Sequence, residues 1–166
     1  MKKASKEEIQ NLLELFKRLD IEDIENPNLN FKHIGLLDVY PKCLTEEEAV
    51  LLLGPEHNRS YEHKYTKYFQ RFEQSIPGSI YITKRPIFCR RNKVKESVYK
   101  IENSHELMGI IIQITREECL YNLFVPEAET VVIGNFDLSW PIYSNSEYFK
   151  IFNEIAGEVN LYIRSN

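Results

Sequence analysis

The sequence is poor in glycine, with six residues and no two adjacent. No backbone loop is therefore well placed to cradle phosphates, and neither G-x-x-x-x-G-K-S/T nor G-x-G-x-x-G occurs. G-x-S-x-G and H-E-x-x-H are missing as well, so nucleotide-dependent chemistry is disfavoured, and no catalytic residue, cofactor or metal is assigned. Cysteine is also sparse. Cys43, Cys89 and Cys119 are odd in number and far apart, which argues against a disulfide scaffold or zinc site and reads as reduced core thiols in a reducing compartment. Long apolar runs are lacking too: the longest, Leu107 to Ile114, is broken by Gln113 and falls far short of the ~20 residues of a membrane helix. The first ten residues carry charge throughout and lack the apolar core of a secretory signal, so a cytoplasmic location away from membranes is expected.

What remains is an ordinary globular composition, 43% hydrophobic and 28% charged over 166 residues. A chain of this size buries roughly 70% of its unfolded surface and builds a core without staples, so residues 1–166 are read as one domain. Eighteen isoleucines against four alanines, with many Lys, Asn, Tyr and Phe, suggest an AT-rich coding genome such as many bacteria have.

Three capping boxes are expected, at Ser5 with Glu8, Thr45 with Glu48, and Ser144 with Glu147, each pairing a side-chain oxygen with a free backbone N–H. The first precedes the helical stripe Ile9, Leu12, Leu13, Phe16 and Leu19, whose helix ends before Asn26-Pro27. The second opens a short helix stopped by Gly54-Pro55, and the third a helix closed by Gly157. Another helix from about Arg59 to Gln74 places Tyr61, Tyr65, Tyr68, Phe69 and Phe72 on one face, the spacing core packing needs. After Pro77-Gly78 the pattern turns β-rich: Ile80 to Thr83, Ile87 to Arg90, Val94 to Ile101, Leu107 to Thr115, Cys119 to Val125 and Thr130 to Ile133. Arg116 to Glu118 and Pro126 to Glu129 read as hairpin turns, Gly109 as a bulge or close approach within a strand, and Val159 to Ile163 as a last strand. The fold class implied is α+β: N-terminal helices on one face of a mostly antiparallel meander sheet, then a C-terminal helix and a final strand.

Charge is polarised along the chain. Residues 1–57 carry −5, residues 58–100 carry +8 and residues 101–166 carry −7, within a net charge of −4. In the basic middle, Lys84, Arg85, Arg90, Arg91, Lys93, Lys95 and Lys100 alternate with Tyr81, Phe88 and Tyr99, and Lys64, Lys67 and Arg71 share a helix face. Such a mixture suits an acidic protein partner or, through phosphate contacts and stacking, a nucleic acid. Equally, acidic segments from both ends of the chain would cancel this field by folding against it.

Single residues add little chemistry. His57 and His63 lack the i, i+4 spacing of paired metal ligands, His33 reads as structural, and His105-Glu106 as a solvated pair in a turn. Cys89 alternates with its arginine neighbours and is expected to face the core. Glu46-Glu47-Glu48 complements a helix dipole and Glu117-Glu118 sits in a turn. Trp140, the single tryptophan, precedes Pro141 and is placed in an edge strand or irregular segment; exposed, it would be a binding anchor and its edge a route to a homodimer. The leading expectation is a non-catalytic protein-binding domain of immunity or antagonist type, contacting its partner through Lys84, Arg85, Arg90, Arg91, Lys93, Lys95 and Trp140. The alternatives are a nucleic-acid-binding domain using segment 84–100, and a small hydrolase or transferase whose site carries no recognisable motif.

Overall fold

The computed structural model describes residues 1–16, 31–85 and 98–165, with the backbone alone for Arg85. Two of the three expected capping boxes form. Ser5 Oγ accepts from the Glu8 N–H at 3.1 Å while Glu8 accepts from the Ser5 N–H at 2.8 Å, opening helix α1 (Lys6–Leu15). Thr45 and Glu48 repeat the exchange at 3.2 and 3.0 Å ahead of α2 (Glu46–Leu52). Helix α3 (Pro55–Ser75) follows after Gly54, with Pro55 in the first turn, where its missing N–H interrupts no helical bond. Helices α4 (Ser104–Thr115) and α5 (Phe149–Glu158) complete the set.

The strands are β1 (Lys2–Lys3), β2 (His33–Asp38), β3 (Tyr81–Arg85), β4 (Val98–Lys100), β5 (Leu120–Val125), β6 (Thr130–Ile133), β7 (Trp140–Ser144) and β8 (Tyr162–Arg164). They form one sheet in the order β1-β4-β3-β5-β6-β7-β2-β8, antiparallel at every pairing. The protein is thus α+β. The run β5-β6-β7 is the expected meander, whereas β2 and β8 join from distant parts of the chain.

Alternation along the strands sorts the core into two layers. Leu37, Ile82, Leu123, Val125, Val132 and Ile142 face the large cluster built with α3, α4 and α5. Tyr81, Phe124, Val131 and Ile133 face the opposite side, where Leu12 and Phe16 of α1 pack and the Phe16 and Phe124 rings lie 5.5 Å apart. Helices therefore cover both faces, correcting the expectation of one. The stripe of α3 behaves as expected: Tyr65, Tyr68, Phe69 and Phe72 are fully buried.

Several local expectations are overturned. Leu107 to Thr115 is helix, not strand, capped by Asn103 and burying Leu107, Ile110, Ile111 and Ile114 at three- and four-residue spacing. Gly109 consequently lies mid-helix in open space, with no bulge and no close backbone neighbour. Arg116 to Glu118 joins this helix to β5, with Glu117 in the left-handed region at φ 58°, and is no hairpin turn. The Ser144–Glu147 box does not form. Ser144 belongs to β7, where its hydroxyl lies 2.8 Å from that of Thr130 across the β6–β7 pair, and α5 starts after Tyr148 without a side-chain cap. Gly157 lies inside α5, and the last strand is confined to Tyr162–Arg164. Helix α1 closes at Leu15 with Phe16 as its cap, short of the expected stripe through Leu19. Leu19, the strand expected at Ile87 to Arg90 and the start of the one from Val94 lie outside the described residues.

The α1 cap supplies a pH test. The Ser5 backbone N–H and the Tyr81 hydroxyl (2.9 Å) both donate to Glu8 and, with a smaller contribution from Lys100, overcome desolvation and lower its carboxyl from 4.5 to about 2. A depressed folded-state value stabilises above the unfolded one, so this contribution is complete above pH 4.5 and disappears as pH falls toward 2. Denaturant unfolding of Glu8→Gln across this window should show a shallower acid dependence than the wild type. Superimposable slopes would contradict the assignment.

Candidate functional site

A dense polar cluster lies at the end of the sheet where β2, β7 and β8 meet. Asp38, the last residue of β2, is 4% exposed. Its carboxylate accepts from Ser139 Oγ at 2.6 Å, from the Tyr40 N–H at 2.9 Å and from an Arg164 guanidinium N–H of β8. A second Arg164 nitrogen donates to Cys43 Sγ at 2.8 Å. Burial alone would lower the Arg164 guanidinium, but contacts with Cys43 and Asp38 outweigh it and raise it.

Beside this pair, Tyr40 Oη lies 2.9 Å from His57 Nε2 with the rings 5.8 Å apart, and Tyr61 packs 4.9 Å from His57. Buried Asn58 donates to Glu117 Oε1 at 2.9 Å. Partial burial, reinforced by Asp38 and Glu117, pushes the Asp137 carboxyl up; a bond from the Ser139 N–H opposes this. Asp137 and Leu138 both hold left-handed backbone, φ 62° and 59°, an uncommon state for leucine.

These contacts fasten the connection between β2 and α3. The chain leaves β2 after Asp38 and enters α3 at Pro55; the Tyr40–His57 pair closes the base of the excursion 41–56 and Arg164 holds it again at Cys43. The tip is α2, which buries no residue. Val50 and Leu51 are each 84% exposed and Leu52 45%. A compact loop with joined ends is a frequent carrier of function. The excursion has one lysine against four glutamates, a net of −3, and Lys42 is engaged with Glu48 at 2.7 Å.

The residues singled out from sequence fare differently. Lys84 is exposed in β3, while Arg90, Arg91, Lys93 and Lys95, and with them Cys89, lie outside the described residues, as does the Arg85 side chain. Two other cations of the basic middle are met by carboxylates from the acidic ends: Arg71 pairs with Glu158, and Lys100 with Glu8 at 3.4 Å. Trp140 corrects the expectation most. It is fully buried in β7, between β6 and β2, and packs on Tyr65 at 4.7 Å and Phe69 at 5.5 Å, so it offers no surface to a partner. Pro141 is accommodated because the β6–β7 pairing ends one residue earlier, at Val132 and Ile142.

Cys119 is buried as expected, but Cys43 is exposed. His33 stacks on Phe149 at 5.1 Å, a structural role; His105 is exposed on the first turn of α4. Among the described residues, no group of three or more metal-ligating side chains assembles and no helix is long and apolar enough to cross a membrane.

Sequence reasoning missed both the Asp38 cluster and the exposed tip. One signal for the tip was available: Val50-Leu51-Leu52 are consecutive, and neighbours 100° apart on a helix cannot all face a single core. Comparison with family models, with curated proteins and with solved structures returned no match.

Proposed function

We propose that this protein is a non-catalytic protein-binding domain of immunity or antagonist type, with α2 as its principal contact. The carrying observation is that a helix without a single buried residue presents Val50 and Leu51 at 84% exposure. Adjacent exposed aliphatic side chains gain nothing from this fold, whereas a partner that covers them gains apolar burial. Polar groups near the loop base, by contrast, are largely spent on one another: Ser139 donates to Asp38, and Tyr40 faces His57. They support an architectural role. The nucleic-acid reading rests on segment 84–100, of which the described side chains show Lys84 exposed and Lys100 paired with Glu8.

Tagged protein should retain a stoichiometric protein from lysate of its source at low ionic strength, and Val50→Asp/Leu51→Asp should lose it. Because α2 contributes nothing to the core, the variant should unfold within about 0.5 kcal/mol of wild type. A lysate that yields no such protein, or one retained equally by the variant, defeats the proposal.

A further inference from the structure

We infer that α2 docks into an apolar groove, on a partner protein, whose rim carries lysine or arginine. This rests on the protein-binding reading above and adds the chemistry of the partner. On a helix, residues four apart stand on the same stripe with Cβ atoms about 5–6 Å apart. Glu46 therefore lies one turn behind Val50, and Glu47 one turn behind Leu51. Each of the two most exposed aliphatic side chains among the described residues has its own carboxylate on the same line. Glu48, by contrast, is committed to the Thr45 cap and to Lys42.

Among the described residues the side chains of Glu46 and Glu47 have no hydrogen-bond or ion-pair partner. A groove that swallows Val50 and Leu51 brings its rim against these two carboxylates. An anionic rim is repelled there, and a cationic one gains both steering and pairing. The same argument disfavours an anionic lipid surface or a nucleic-acid backbone as occupant.

The element is preformed. The Thr45 capping box holds its first turn, the Tyr40–His57 pair closes the loop and Arg164 anchors Cys43, so little chain ordering opposes docking.

The test is a display library of small folded helical domains with one randomised inter-helix groove, selected on the whole chain after depletion on Val50→Asp/Leu51→Asp. Enriched domains should combine an apolar groove with an excess of Lys and Arg on its rim. Synthesised, they should bind wild type with an affinity that falls as salt rises, on the order of tenfold weaker to Leu51→Asp and measurably weaker to Glu46→Gln/Glu47→Gln. Thermal unfolding confirms that each variant is folded.

Domains that require Leu51 yet carry no cationic excess and ignore Glu46→Gln/Glu47→Gln overturn the inferred chemistry while leaving the protein-binding reading in place. A selection in which nothing is enriched over the depleted pool removes α2 from both. Sedimentation of the protein alone closes the remaining case: a dimer that Leu51→Asp converts to monomer makes a second copy the occupant and overturns the inference.

Discussion

Trp140→Ala is expected to lower unfolding stability by about 3–5 kcal/mol, the cost of emptying a fully buried aromatic site that its neighbours only partly refill. The indole has zero exposure and sits against Tyr65 and Phe69 of α3, so its removal opens the contact between the sheet and its longest helix. Its Nε1 has no hydrogen-bond partner among the described residues. Trp140→Phe therefore gives up volume without breaking a polar contact, and should cost well under half as much. Denaturant midpoints at unchanged slope measure both. A loss below about 1 kcal/mol for the alanine variant would mean the site is loosely packed, against the geometry described.

The second large effect concerns Asp38 and Arg164, whose side chains are 5% and 16% exposed. Asp38→Ala leaves a part-buried guanidinium without its carboxylate and should cost about 3 kcal/mol, the lower end for breaking one half of a buried pair, because Arg164 keeps some solvent contact and its bond to Cys43. Arg164→Met should be milder. The guanidinium Nε already lacks a partner among the described residues, and the remaining carboxylate keeps bonds from Ser139 and the Tyr40 N–H. The order of the two losses is the discriminating result. Arg164→Met costing more than Asp38→Ala would show that the arginine acts chiefly through packing or through Cys43. Faster amide exchange across residues 41–48 in Arg164→Met would show that this side chain anchors the loop.

The α4 segment shows where local pattern loses its power. An isoleucine-rich run of nine residues satisfies a strand and a buried helix equally, since apolar residues on nearly every position erase the period that separates them. The Asn103 cap, whose side chain accepts from the Glu106 N–H at 3.0 Å, was the available discriminator. Ser144 illustrates the opposite failure. Its spacing to Glu147 matches a capping box, but a hydroxyl facing Thr130 across the sheet is worth more buried than at a helix start.

Trp140 and its following proline suggested an edge, yet the β6 ladder stops just short of Pro141, so an interior position costs no hydrogen bond on that side. For the candidate docking element, charge was readable as a segment property while exposure was not. The Glu46–Leu52 composition is in the sequence, whereas the absence of any core beneath it follows from how the connection between β2 and α3 leaves the sheet.

By itself the sequence determined the α+β class, the caps of α1 and α2, the buried stripe of α3 and the hairpin between β5 and β6. Each is written within a few residues of chain, in hydrogen bonds and side-chain periods that form locally. Only the tertiary structure decided that α4 is a helix, that Trp140 is core and that a loop stands on an Asp38–Arg164 base. Those outcomes depend on partners as far as 126 residues apart, brought together by strand order, and no local spacing encodes which distant group will meet a given side chain.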